Sequence, residues 1–198
     1  MNLESLIPDA SDWRWVVAIS VFLVGVHAYR KLSPYFAVTW IGAGALFGAL
    51  WCADGFEWPA QVRSEVVLLP VSLFYLAAAL TKGIVETRDR LRGNHFFHVL
   101  MTGVFAGLLG LSLKSSADAS GFHLQSFGID GNLLSSSGME IGGVPLAVGL
   151  GWAVAASAFY GIYKLFDHAG LSKPLQTVVL FVSMPFLVQG VKALSEML

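Results

Sequence analysis

Long apolar runs alternate with short charged clusters along the whole chain. Each run has roughly 16–23 residues, so a helix at about 1.5 Å per residue approaches or spans a hydrocarbon core about 30 Å thick. The pattern therefore predicts an all-α, polytopic membrane protein, a bundle of about six transmembrane helices in one domain, 1–198. The predicted helices cover about residues 13–31, 35–53, 65–83, 95–113, 141–163 and 174–193.

The segment between the fourth and fifth apolar runs, residues 114–140, is the longest stretch without an apolar run. It is rich in serine and glycine, and its residues do not alternate as a strand would. We expect a re-entrant or a surface loop that caps one end of the bundle. Long ordered loops often carry function, although some are only linkers.

The composition supports lipid as the surrounding solvent. Charged residues make up 13% of the chain and apolar residues 56%, and the mean hydropathy is +0.68. A typical soluble domain has about 25% charged residues. The net charge of −1 and the lack of a recognition motif argue against a nucleic-acid partner, and membrane lipid is the expected one. The single cysteine excludes an internal disulfide.

Lysine and arginine are distributed unevenly between the two sides of the predicted bundle. The connections between helices 1 and 2, 3 and 4, and 5 and 6 hold eight of them, and the opposite side holds four. The positive-inside rule then places these three connections in the cytoplasm and both termini on the extracytoplasmic side. The N-terminus lacks the basic region of a secretory signal, so the first run is expected to stay as a membrane anchor. We expect a multi-pass protein of the cell inner membrane.

Glycine pairs four residues apart predict where helices approach closely. Gly44 and Gly48 form one pair in helix 2, and Gly103 and Gly107 form another in helix 4. Such small-xxx-small pairs let two backbones come together in a membrane.

The six apolar cores contain no Asp, Glu, Lys or Arg. An ion-coupled transporter normally carries at least one such group within its spans. The absence argues against secondary transport. Polar residues in the spans, such as Thr39, Ser157 and Thr177, are expected to bond to the backbone of a neighbouring helix rather than to a substrate.

Three histidines form a candidate metal site. His27, His95 and His98 all lie toward the cytoplasmic ends of their predicted helices, and His95 and His98 share a helix face because they are three residues apart. Imidazoles in this number can ligate a metal or a haem iron. The alternative is that they simply occupy the wet interface at helix ends.

One stretch, about residues 118–175, carries a family-like motif. Phe127-Gly128 is followed by Gly143-Val144-Pro145, and Trp152 comes seven residues after the proline. This arrangement resembles the membrane-embedded carotenoid biosynthesis family that includes bacterioruberin-type and related carotenoid hydratases. In that family tyrosines follow the Phe-Gly pair, whereas Ile129 and Asp130 stand here.

The resemblance implies a protein that binds or hydrates a carotenoid or another polyprenoid lipid. It implies Asp118 as the catalytic acid, since hydration of a double bond begins with protonation. The substrate site would be shaped by small and flat residues of the motif: Phe127, Gly128, Gly143, Pro145 and Trp152.

Two alternatives remain beside this hypothesis, and whether the protein is an enzyme is open. The charge-free cores and abundant glycines also suit a non-catalytic subunit of a larger membrane complex, or a pore formed by a homo- or hetero-oligomer. A haem or metal membrane protein is the other alternative, through the cytoplasmic-side histidines.

Overall fold

A computed structural model describes residues 13–52, 64–85, 87–88, 91, 93–119 and 139–197. This part of the chain is helical apart from a short hairpin, which confirms the predicted all-α class. The helices are α1 (Trp13–Lys31), α2 (Pro34–Cys52), α3 (Ser64–Val85), α4 (His95–Ala119), α5 (Leu146–His168) and α6 (Lys173–Met197). The strands are β1 (Glu140–Ile141) and β2 (Val144–Pro145).

Five of these helices, α2 to α6, are long and apolar enough to cross a membrane. Within the described residues, the helix α1 is not among these candidate spans. The structure therefore supports a multi-pass protein with five candidate spans. A sixth crossing, by α1, stays a prediction.

Several helix boundaries differ from the predicted ones by four to six residues, at both ends of α5 and at the C-terminal ends of α4 and α6. The helix α5 begins at Leu146 rather than at residue 141, because Gly142 and Gly143 take φ values of +61° and +77° and turn β1 back onto β2. Glycine adopts this left-handed conformation at little cost. The helix α4 continues to Ala119, past the predicted end at residue 113, since no glycine or proline interrupts that stretch.

Side-chain caps fix the starts of two helices. The Ser33 hydroxyl accepts a hydrogen bond from the Phe36 N–H at 2.9 Å, and Pro34 occupies the first position of α2. The Asn94 side chain accepts from the Phe97 N–H at 3.0 Å at the start of α4. Both caps satisfy backbone donors that the first helical turn leaves without a partner.

The helices pack as a ring with one helix outside it. The helices α2, α3, α4, α5 and α6 contact each other in sequence, α6 returns to contact α2, and α1 packs on α2 and α3. The end at which α1 meets α2, α3 meets α4 and α5 meets α6 is called the basic end below. It is the side that the sequence predicts to be cytoplasmic.

The interior of the ring is aromatic and the exterior is apolar. Trp40, Phe47, Phe74 and Phe159 are at most 1% exposed and pack against one another. On the outer surface, large apolar side chains are well exposed, and Phe186 reaches 77%. Soluble monomers rarely expose so many large apolar groups, whereas lipid solvates them readily.

The predicted glycine pairs lie where helices touch. A Cβ added to Gly48 would overlap the carbonyl oxygen of Val67 on α3. A Cβ added to Gly107 would lie 2.7 Å from the carbonyl oxygen of Gly149 on α5. Both contacts confirm the small-xxx-small packing, because any side chain would push the backbones apart.

Candidate ligand cavity at the basic end

A cavity of about 780 Å³ opens inside the bundle at the basic end. All six helices supply residues that line it. The volume is within the range of small-molecule sites, which are usually concave and largely apolar with a few placed polar groups. The residues around this cavity fall into three groups: a cationic rim, an aromatic wall and a set of buried hydroxyl and amide groups.

The rim consists of four lysines from four helices, and we call it the lysine rim: Lys31, Lys82, Lys164 and Lys173. Lys31 and Lys82 lie in the last turns of α1 and α3, and Lys173 begins α6. Since these are the helix ends at the basic end, the ammonium groups surround the mouth of the cavity. Long lysine side chains reach the wet interface from such positions.

Two of the rim lysines have contacts that hold their positions. The Lys173 ammonium donates to the Asp167 carboxylate at 2.9 Å and to the Gln176 side-chain oxygen at 3.2 Å. The Lys164 ammonium lies 5.5 Å from the centre of the Tyr160 ring, within range of a cation–π interaction. The lining residues that the structure describes include four lysines and no carboxylate. The mouth therefore favours negative charge.

The deeper part of the cavity is an aromatic wall formed by the rings of Phe36, Trp40, Tyr75, Tyr160 and Tyr163. The Trp40 ring is at its centre: it stacks on Phe36 with the ring centres 5.3 Å apart, and its centre is 5.8 Å from that of Tyr163. The indole N–H donates to the Val71 carbonyl at 3.2 Å. Trp40 is 1% exposed, so it forms the floor at which the cavity ends.

Polar groups between the rim and the floor are already hydrogen-bonded. The hydroxyls of Thr39 and Thr177 bond to each other across α2 and α6, so the contact between these helices joins two side chains and not a side chain and a backbone group. Gln176 is 3% exposed, and its amide nitrogen donates to the Tyr163 carbonyl at 3.5 Å. These bonds tie α6 to α2 and α5 beside the cavity and fix its shape.

The structure brings two of the three predicted histidines to the cavity. His27 and His98 both line it, and the His27 Nδ1 hydrogen-bonds to the Tyr75 hydroxyl. His95 lies elsewhere: it is exposed, and its ring centre is 5.8 Å from that of His168. Although the two residues are three apart on α4, only His98 is buried and lines the cavity.

The described residues hold no group of three His, Cys, Asp or Glu side chains close enough to bind a metal ion. His27, His95 and His98 are therefore not brought together as a three-ligand site.

The motif residues of the family resemblance lie at the opposite end of the bundle. Trp152 is 4% exposed, and its ring packs over Gly110 and 6.2 Å from the centre of Phe74. Gly143 and Pro145 are exposed in the hairpin that precedes α5. None of these three residues lines the basic-end cavity.

The other motif residues are less fully described. Asp118 lies in the last turn of α4, where the structure describes its backbone but not its side chain, and Phe127 and Gly128 lie outside the described residues. Asp118 follows His98 by about 20 residues on the same helix, a distance of roughly 30 Å. The motif and the cavity therefore belong to two separate regions.

Sequence reasoning missed the aromatic wall and the function of the lysines as a rim. The signal was present for the lysines, because all four belong to the connections that the charge count predicts to lie on one side of the membrane. No comparable signal joins Trp40, Tyr75 and Tyr163, which come from three different helices. No protein-family model, curated protein or solved structure matches this chain.

Proposed function

We propose that this chain is a multi-pass membrane protein that binds a polyprenoid lipid, of which a carotenoid is one type, in the basic-end cavity. The observation that carries the proposal is the aromatic wall around Trp40. Aromatic faces pack well on flat, unsaturated chains, and a buried wall of them offers a large apolar contact area. The cavity volume of about 780 Å³ suits a headgroup and the first part of a chain.

The location of the cavity fits ligand entry from the membrane. Its mouth lies at the ends of the helices, where the lysine rim would meet lipid headgroups. The charge bias of the connections assigns this end to the cytoplasm, so the ligand would come from the inner leaflet of the inner membrane.

The proposal is limited to binding and does not include hydration. The only acid that the family resemblance offers, Asp118, belongs to α4 roughly 30 Å from His98 and the cavity. A general acid must come within hydrogen-bond reach of the group that it protonates. A lipid held on the aromatic wall would place its bound end far from that carboxyl group.

Filling the cavity without disturbing the fold tests the proposal. Gly83 lines the cavity, and a Cβ added there would meet nothing within 4 Å, so Gly83→Trp places a large ring in open space. Gly190 on α6 has equally open surroundings but does not line the cavity, which makes Gly190→Trp a matched control. We expect polyprenoid in organic extracts of the wild type and of Gly190→Trp, and a loss of at least about tenfold in Gly83→Trp, because the indole displaces the chain.

The measurement is mass spectrometry of organic extracts from protein purified in mild detergent, normalised to protein. An absorption spectrum of the same sample detects a carotenoid directly. Equal polyprenoid content in Gly83→Trp and Gly190→Trp would contradict the assignment to this cavity. A wild-type extract without polyprenoid, from a particle that retains partner proteins, would favour a non-catalytic subunit instead.

A further inference from the structure

We infer that the ligand of the cavity carries an anionic phosphate headgroup, held by the lysine rim while its apolar chain lies on the aromatic wall. The inference rests on the proposed function, because it names the class of polyprenoid lipid that the same cavity takes. The observation behind it is that four helices each direct one lysine to one mouth.

The charges around the mouth make a neutral ligand a poor match. The described lining residues carry four positive charges, and the described carboxylate beside them, Asp167, is bound to Lys173. A neutral polyene would make no use of this concentration of positive charge at the mouth. Clusters of basic residues next to a membrane span are typical of sites for anionic lipid headgroups, and ammonium groups bind phosphate oxygens through charge-assisted hydrogen bonds.

The lysine rim and the aromatic wall lie at different depths in the cavity, which suits a ligand with a headgroup at the mouth and a chain deeper in the bundle. Lys31 ends α1 and Lys173 begins α6, so both lie at the helix termini of the basic end, which the proposed function puts beside the lipid headgroups. Trp40 lies about six residues into α2, roughly 9 Å deeper. Phe36 and Tyr163 occupy the space between the rim and the floor. A ligand that reached from the rim to the floor would therefore be polar at one end and apolar at the other.

Uncharged hydrogen-bond donors add to the recognition of oxygen atoms. The lining includes the hydroxyls of Ser33 and Tyr35 at the start of α2, next to Lys31. Hydroxyl donors and ammonium groups together suit the several acceptor oxygens of a phosphate. A carboxylate offers fewer acceptor sites, so we expect phosphate to be preferred.

The experiment is isothermal titration calorimetry of the full chain in a neutral detergent, with three probes. They are farnesyl monophosphate, the neutral alcohol farnesol and inorganic phosphate. We expect farnesyl monophosphate to bind at least about tenfold more tightly than either other probe, since one charge-assisted bond corresponds to about a tenfold change in Kd. Its affinity should fall as salt rises, because salt screens interactions at a partly exposed mouth.

Substitution of the rim lysines tests the residues. Lys31→Gln and Lys164→Gln should each weaken farnesyl monophosphate by about tenfold and leave farnesol unchanged. Lys114→Gln, near the opposite end of α4, removes the same charge away from the cavity and should bind like the wild type. Unchanged circular dichroism of all three variants would separate lost binding from lost folding.

The outcomes separate this inference from the proposed function. Equal affinity for farnesol and its phosphate, or full binding by Lys31→Gln and Lys164→Gln, would overturn the anionic headgroup and leave lipid binding standing. Failure of both farnesyl probes to bind would overturn both proposals. Binding of inorganic phosphate as tightly as farnesyl monophosphate would support the anion site but identify a soluble anion, not a lipid, as its source.

Discussion

The two ends of this bundle solve opposite packing problems with the same helices. Away from the basic end, Gly48 and Gly107 bring α2 against α3 and α4 against α5 in backbone contact. At the basic end, the rings of Phe36, Trp40 and Tyr163 stand between the helices, and a cavity of about 780 Å³ remains. Close helix packing stabilises a membrane bundle, whereas a ligand site needs open space between the helices and therefore fewer helix–helix contacts.

A change in residue size along one helix produces this difference. The first half of α5 is rich in glycine and alanine, and Gly149 contacts Leu111 and Gly107 of α4. Its second half begins at Phe159 and continues through Tyr160 and Tyr163, which hold α2 away. In α5, small residues thus allow close helix packing in the first half, and large aromatic residues keep the helices apart beside the cavity in the second half.

The largest expected effect follows from crowding the tight end. Gly48→Leu forces a side chain onto the Val67 carbonyl, which belongs to helix backbone and cannot move alone. Over-packing usually costs about 1–3 kcal/mol, and against rigid backbone we expect about 3 kcal/mol or more. Unfolding by SDS in mixed micelles, followed by circular dichroism, measures the loss.

Gly190→Leu is the matched control, because nothing lies within 4 Å of a Cβ at Gly190. It should change the free energy of unfolding by less than about 0.5 kcal/mol. If both variants were equally stable, the distinction between a tight end and an open end would fail.

A smaller effect is expected from removing the floor of the cavity. Trp40→Leu removes the ring that stacks on Phe36 and the hydrogen bond to the Val71 carbonyl. We expect a loss of about 2 kcal/mol, below the usual range for large aromatic truncations because the new space joins an existing cavity. The same unfolding measurement gives the value.

The Trp40→Leu variant should also bind farnesyl monophosphate more weakly, by a few fold, because ring contact is lost. Trp152→Leu is the comparison, since Trp152 packs on Gly110 away from the cavity. Weakened binding in Trp152→Leu alone would indicate that the ligand lies at the opposite end, near the family-like motif.

The smallest effect is expected at the hydroxyl pair beside the cavity. Thr39→Val keeps the shape of the side chain and removes the hydrogen bond to Thr177. Interhelical hydrogen bonds in membranes average about 0.6 kcal/mol, and we expect a loss of that order. Ser112→Ala, at an exposed hydroxyl that bonds within α4, should be neutral in the same assay. A larger loss in Ser112→Ala would mean that interhelical bonds do not hold the open end together.

The tight end could be predicted from sequence, and the open end could not. Spacing of four residues identifies Gly44 with Gly48 and Gly103 with Gly107, because helical geometry alone places each pair on one face. The aromatic wall depends on how α2, α3 and α5 are rotated about their axes, and their nearly uniform apolarity gives no direction for that rotation.

The lysines show how one residue type can carry two signals. Lys31, Lys82, Lys164 and Lys173 all contribute to the charge bias that predicts orientation. The same residues form the rim, which the count does not reveal because it ignores the distance between helices. For the histidines, the sequence signal groups residues that the fold separates. His95 and His98 are three residues apart on α4, but only His98 lines the cavity, and the His95 ring lies beside that of His168.

The aromatic floor of the cavity bears on whether a bound ligand could cross from one face of a bilayer to the other. Trp40 packs on Phe159, and Phe159 packs on Phe74 and Phe47. These four buried rings form a continuous cluster between the cavity and the far half of the bundle. The proposed ligand would therefore leave the cavity on the side by which it entered. For the proposed ligand, this arrangement predicts exchange with the leaflet at the basic end and no passage between leaflets in this conformation.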